Sequence, residues 1–411
     1  MPDLALFGGN PIRTKPFPSW PKLTDAIREQ LLYTLENEQW GVESNTIDKF
    51  NASFAAFHDA KHCISIHSGT SALWVALKAA GVKAGDEVIL PAYTFIATAT
   101  AILMANAVPV FVDIDLKTGN MDPLDIESKI TDKTKMIMPV HIAGSPVDLN
   151  SILAIAEKQN IALIEDAAQA HGAIYDGKKV GAIGLGGIFS FQSSKNMSSG
   201  EGGSIVSNNE EFADACFSYH NCGRVRNGKW YEHHRLGSNL RMSALNAAML
   251  IPQIESLESE MAIRDKNRKS LDSFLDGIQG LTPIEFSKGA TRSANHIYLC
   301  RYSEDQFSGI PRETFFKAMQ AEGVYTYKGY NPLYREPLFI TNHDEYPWLK
   351  GQDYKSLYLE NTETFCEKEV VWLKQNHLLG DEEDIQDIKN AFEKVTKEMK
   401  TNQKPFLEFT L

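Results

Sequence analysis

Residues 161–172 read Ile-Ala-Leu-Ile-Glu-Asp-Ala-Ala-Gln-Ala-His-Gly, an apolar run that ends at the carboxylate of Asp166 and passes into small side chains. An apolar stretch without polar alternation is what a strand covered on both faces requires. The same pattern recurs to either side, giving further candidate strands at Cys63–Ile66, Glu87–Leu90, Pro109–Val112, Met136–Pro139, Gly187–Phe191 and Ser204–Val206. Helical patterns lie between them. Thr70–Ala80 opens in a Ser/Gly/Thr cluster and stops at Gly81, and Asp148 can cap a helix that carries Leu149, Ile152, Leu153 and Ala156 on one face. Strand–helix alternation of this kind means an α/β fold with a mostly parallel, doubly wound sheet, here of seven strands. Ligands of such sheets sit beyond the carboxyl ends of the strands.

After about Arg264 the pattern changes to helical stretches (Arg264–Leu275, Arg312–Gly323, Glu382–Lys400) around a few short strands, including Ile297–Arg301. The expected division is therefore a large domain with an N-terminal arm over 1–263 and a smaller α+β domain over 264–411. The first twenty residues, rich in Pro and Gly, read as an extended arm that packs on something else.

The 411-residue length supports two domains at ~150 residues each. With 41 Lys+Arg against 53 Asp+Glu the net charge is −12, which argues against a nucleic-acid or anionic-membrane partner. No apolar run approaches the ~20 residues that span a bilayer, and Gly8 and Gly9 arrive too early for a signal-peptide core. Cys63, Cys216, Cys222, Cys300 and Cys366 are odd in number and follow no metal-ligand spacing. The expectation is reduced thiols, a cytoplasmic protein and no metal.

Three segments at the ends of candidate strands carry chemistry. His67-Ser68-Gly69-Thr70-Ser71 opens a helix and presents free N–H groups and hydroxyls to an anion, although taken alone it reads first as an ordinary N-cap. Asp166, at the end of a buried strand and followed by small residues, is placed either to hold a protonated ring nitrogen or to cap the next segment. The run Phe189-Ser190-Phe191-Gln192-Ser193-Ser194-Lys195-Asn196-Met197-Ser198-Ser199-Gly200-Glu201-Gly202-Gly203 delivers Lys195 onto a small-residue loop. A desolvated lysine there is a nucleophile for carbonyl carbons; otherwise it is a solvated loop lysine. No GxGxxG or Walker lysine accompanies them. Taken in order, an anion-binding turn, a strand-end Asp and a Ser–Lys–Gly loop match the needs of pyridoxal 5′-phosphate.

With these motifs the chain resembles the pyridoxal-phosphate fold-type-I aminotransferases of the DegT family, which make amino sugars and aminocyclitols. The likeness runs from LFGGNPIRTKPFPSWP at the start to beyond His296–Arg301, and FSFQSSKNMSSGEGG is its most specific segment. It implies that Lys195 captures the cofactor aldehyde, Asp166 pairs with the pyridine nitrogen, and Gln169 lies beside the ring. Gly69, Thr70 and Ser190 would hold the phosphate. Phe95 in PAYTFIATA would stack on the ring, although in so apolar a stretch it otherwise reads as core. Asn239, from sequence alone a turn residue, would reach the phosphate of a neighbouring subunit, which implies a homodimer with active sites at the interface. His220, Arg224 and Tyr330 fall where the family contacts substrate, and Arg226, Arg235 and Arg241 are further candidates for an anion. His171 reads as a satisfied structural histidine.

The reaction implied is transfer of an amino group from L-glutamate or L-glutamine to a ketosugar, nucleotide-linked, or to a cyclitol ketone. Three other readings compete. A pyridoxamine-dependent sugar dehydratase would carry a histidine where this chain has Lys195. An aminodehydratase like aminohydroxybenzoate synthase has a similar opening segment. A non-catalytic cofactor-binding regulator would lack the lysine or carry an added DNA-binding domain.

Overall fold

The computed structural model describes residues 4–37, 40–41, 44–340 and 345–409. Seven strands, β1 (His62–Ile66), β2 (Glu87–Pro91), β3 (Val108–Val112), β4 (Thr134–Ile137), β5 (Ala162–Asp166), β6 (Gly186–Ser190) and β7 (Gly203–Ser207), form one sheet in the spatial order β1-β7-β6-β5-β4-β2-β3. The pairings from β6 through β3 are parallel, and β7 runs antiparallel to both β1 and β6. β2, β6 and β7 are buried along their whole length, as their unalternating apolar sequences require. β4 begins and ends two residues earlier than its apolar pattern suggests, because Pro139 has no N–H to continue the ladder.

Helices cover both faces. α1 (Asp25–Glu36) and α2 (Asn45–Phe57) precede the sheet, and α2 packs Phe54 edge-on against Phe189 and Phe191. α3 (Gly69–Ala79) follows β1 directly, with the Ser68 side chain accepting from the Ser71 N–H. α4 (Ala97–Met104), α5 (Pro123–Lys129), α6 (Leu149–Gln159) and α7 (Glu210–His220) follow. The cap read at Asp148 is present: its carboxylate accepts from the Ser151 N–H.

The helix expected from Arg264 starts instead at Ala244: α8 spans Ala244–Leu275 as one 32-residue helix. Its sequence hides this because the buried stripe changes partner. Ala247, Leu250, Leu257 and Met261 pack in the large-domain core, whereas Leu271 and Leu275 pack in the small-domain core. The division at 263/264 falls inside this helix, where it passes from one core to the other. The small domain contains an antiparallel sheet, β8 (Leu281–Pro283), β9 (Ile297–Tyr302) and β10 (Val370–Lys374), with α9 (Arg312–Ala321) and α10 (Glu382–Thr401).

The arm packs on this small domain. Leu4 is fully buried in its core, the Ile12 N–H donates to the Glu322 carboxylate, and the Arg13 guanidinium pairs with Asp384 at 2.7 Å and Asp387 at 2.8 Å. In the other direction, Leu333, Tyr334, Phe339 and Tyr354 return to the large-domain core, so the chain after 264 serves both units.

Candidate active site

The carboxyl ends of β1, β5 and β6 open on a cavity of about 880 Å³. At one corner β1 turns into α3. The first N–H groups of a helix have no intrahelical partner and favour an anion. Gly69 and Thr70 lie here, facing Ser190 at the end of β6. A Cβ on Gly69 would stand 2.8 Å from Ser190 Cβ, so only glycine lets helix and strand approach this closely. The result is a small concave cradle of N–H and hydroxyl donors.

Asp166 closes β5 and is 4% exposed. Its Oδ2 accepts from Thr98 Oγ1 at 2.7 Å and its Oδ1 from the Ala168 N–H at 3.2 Å. Burial raises its pKa, and the hydroxyl, the amide and the Lys195 charge pull it back down. A buried carboxylate with one accepting face left over is a ready partner for a cationic ring N–H.

Lys195 lines the cavity from the loop after β6. Burial lowers its amine pKa to about 8, against the opposing attraction of Asp166. A substantial neutral fraction at physiological pH is what a carbonyl nucleophile needs. The loop is set by its own hydrogen bonds: the Lys195 N–H donates to Gln192 O, and Gln192 Oε1 accepts from Ser194. Trp20, at the end of the arm, donates from Nε1 to the Lys195 carbonyl at 2.9 Å.

Gln169 is oriented by both ends of its amide. Oε1 accepts from the Ala143 N–H at 2.7 Å, and Nε2 donates to the Tyr330 hydroxyl at 3.2 Å. Ala143 holds φ at +57°, a conformation that costs a non-glycine residue ~1–2 kcal/mol. At the next residue a Cβ on Gly144 would meet the Gln169 carbonyl at 2.6 Å. Phe95 is not a core residue: it is 51% exposed and borders the cavity 6.1 Å from the Tyr330 ring. Half exposed at the cavity's edge, it has ring surface left for a ligand.

The cavity thus gathers Gly69, Thr70, Phe95, Asp166, Gln169, Ser190, Lys195 and Tyr330. His220 and Arg224 are not among them. They line a separate cavity of about 410 Å³ with Arg226 and Arg241, where burial lowers the His220 pKa to about 4 and leaves it neutral. Asn239 is exposed and lies outside the Lys195 cavity, bridged to Asn221. His171 is fully buried against Phe189 and Phe191, as a structural histidine would be, with the Ser190 backbone as its polar neighbour. Sequence reading missed Thr98, Trp20, Tyr327 and Lys374, all of which line the Lys195 cavity. The Thr98–Asp166 pair had a faint signal in the hydroxyl-rich Thr94-Phe95-Ile96-Ala97-Thr98 run.

Among the described residues no cluster of three or more His, Cys, Asp or Glu side chains converges as a metal site, and no helix is long and apolar enough to cross a membrane.

Residues 21–393 match the model of the DegT/DnrJ/EryC1/StrS aminotransferase family. A protein of Streptoalloteichus tenebrarius, provisionally named an L-glutamine:3-amino-2,3-dideoxy-scyllo-inosose aminotransferase, is 38% identical over 96% of this chain and 97% of its own. The L-glutamine:2-deoxy-scyllo-inosose aminotransferase of Micromonospora echinospora is 36% identical over 95% and 97%. The crystal structure of 3-amino-5-hydroxybenzoic acid synthase superposes with a TM-score of 0.86 at 31% identity, covering 94% of this chain and 99% of that one.

Proposed function

The chain belongs to the DegT/DnrJ/EryC1/StrS aminotransferase family, and from that premise we propose that its cavity binds pyridoxal 5′-phosphate through Lys195 and carries the amino group of L-glutamine or L-glutamate to the ketone of a cyclitol or sugar. The observation that carries this reading is the pairing, in one cavity, of a lysine amine brought to a pKa of about 8 with the buried carboxylate of Asp166. The residues fit the cofactor on two further counts. The Gly69–Ser190 approach leaves a cradle that a single Cβ would fill, and Phe95 exposes an aromatic face beside it.

When bound, the cofactor supplies the aldehyde that receives an amino group and the ring that takes up the electron pair released at the substrate carbon. The chain does the rest. Gly69, Thr70 and Ser190 hold the phosphate through N–H and hydroxyl donors. Asp166 stabilises a proton on the pyridine nitrogen, with Thr98 fixing the carboxylate. Lys195 Nζ would hold the cofactor at its aldehyde carbon and, as a free amine, would move the proton at the substrate α-carbon. Gln169 would lie beside the ring, its amide held in place by the Ala143 N–H. Trp20 ties the arm to the Lys195 loop through its bond to the Lys195 carbonyl.

The scyllo-inosose aminotransferases among the relatives support a cyclitol ketone as acceptor and L-glutamine as donor. The likeness to 3-amino-5-hydroxybenzoic acid synthase favours a second reading, an aminodehydratase that forms an aromatic product. Incubation with a cyclic ketone and with a ketosugar, followed by product analysis, separates the two. Borohydride reduction and peptide mapping test the cofactor assignment: the adduct is expected on Lys195, and an adduct elsewhere or nowhere overturns it.

The same reading assembles the protein as a homodimer. Asn239 faces solvent, and in the preceding stretch of chain Trp230, Tyr231 and Leu236 are 82%, 76% and 93% exposed, apolar surface that a second subunit would cover. On this arrangement His220, Arg224 and Asn239 serve the partner's cavity. Light scattering at micromolar concentration checks it. All five cysteines are free thiols, which fits a reducing, cytoplasmic setting.

A further inference from the structure

An amino-acid donor brings an anionic α-carboxylate into the cavity, and that charge needs a cationic partner once water is displaced. Among the described residues that one subunit lends to its own cavity, only Lys195 and Lys374 are cations; the arginine that the proposed dimer would add, Arg224, comes from the other subunit. Lys195 is committed to the reacting carbon and faces Asp166. Lys374 is not committed. It is the last residue of β10, it is exposed, and no acidic side chain among the described residues pairs with it. Its amine lies 4.7 Å from the centre of the Tyr327 ring, a cation–π contact that orients it without neutralising it.

The strand register ties Lys374 to the segment that contacts the Lys195 loop. Lys374 is paired with Ile297 across β9 and β10. Next to Ile297, His296 bonds through Nδ1 to Asn196 Oδ1, and Asn196 is the residue after Lys195. The two lysines therefore line one cavity, one from each domain, and their chain neighbours are linked through a buried Asn–His contact. Gln375 is held by Arg264 and Asn376 by the Pro18 carbonyl, so the turn that carries Lys374 is fixed on both its far side and its arm side.

We infer that Lys374 is the anchor for the donor's α-carboxylate, setting the donor amine against the carbon held by Lys195. This rests on the proposed function and goes further by assigning donor recognition to the small domain. The test follows the loss of the cofactor absorbance band of the holoenzyme in single turnover against L-glutamine and against its α-amide. Lys374→Met is expected to raise the L-glutamine concentration giving half-maximal rate by about 10- to 100-fold, the range for losing a charged hydrogen bond. The limiting rate and the acceptor KM should stay within about twofold, Lys374→Arg should restore most of the loss, and the preference for L-glutamine over its α-amide should vanish in Lys374→Met. A holoenzyme whose Lys374→Met variant keeps the wild-type half-saturation and the same preference overturns the assignment while leaving the transaminase intact. A wild-type chain with no band, or a band that ignores L-glutamine, overturns the underlying function instead.

Discussion

Glu165 and Asp166 are consecutive residues of β5 whose carboxylates serve opposite sides of the sheet. Glu165 is fully buried and accepts from the N–H groups of Gly181, Ile183 and Gly184 while facing His141 Nε2 at 3.1 Å. Asp166 has only Thr98 and one amide and opens on the cavity. One carboxylate is saturated and structural; the other is held in reserve. Glu165→Ala should therefore cost on the order of 3 kcal/mol or more in urea unfolding, because several buried donors lose their acceptor at once.

Asp166→Asn should behave in the opposite way. The folded pKa of Asp166 is raised above the ordinary 3.8, so its contribution to stability is present at low pH and lost as pH rises through the folded value. At neutral pH the cofactor-free Asp166→Asn chain should be at least as stable as wild type, with turnover lower by about 100-fold or more for want of the ring's charge partner. Thermal unfolding and steady-state rates check the two halves.

For Lys195 the shift is downward, from 10.5 to about 8, so the unfolded chain holds the proton more tightly than the folded one. This group's cost to stability is full below pH 8 and fades as pH climbs toward 10.5. In cofactor-free protein, Lys195→Met should be more stable than wild type near neutrality, and the gap should close as the solution becomes alkaline. Urea midpoints measured across that range give the answer, and the rate of aldehyde capture by wild type should rise through the same midpoint.

Gly69→Ala should weaken cofactor binding by about 10- to 100-fold, since the added methyl meets Ser190 at 2.8 Å and must push helix or strand apart. Fluorescence titration of cofactor-free protein measures it, and a circular-dichroism spectrum matching wild type would locate the loss in the cradle.

Gln169→Ala should cost about 1–3 kcal/mol in stability because it leaves the Ala143 N–H buried without an acceptor. Tyr330→Phe removes only the other end of the same amide's contacts and should cost less than about 1 kcal/mol. The two variants compared in one unfolding series test whether the amide is held mainly from behind.

What the sequence made readable was local. The strands of the sheet, the Ser68–Thr70 turn, Asp166 and the Ser190–Lys195 loop each lie in one short segment whose apolar pattern and small residues state its conformation. The part of the cavity built by the arm and the small domain was not readable, because Trp20, Tyr327, Trp372 and Lys374 are brought there by contacts that no local period records. His220 and Arg224 show the same limit from the other side: their spacing says nothing of which cavity they enter, and within one chain they enter another. The length of α8 was hidden by its change of core and by Pro252 inside its first half.

Because α8 belongs to both cores, fragments 1–263 and 264–411 would each carry a broken stub of helix with its apolar stripe uncovered. Neither piece has the makings of an autonomous folding unit, and mixing them could regain turnover only by rebuilding the rod across the cut. Engineers seeking a split reporter from this scaffold would do better to leave that rod whole and nick the chain beyond its last turn, near Gly277–Gly280, where the backbone has already left the helix.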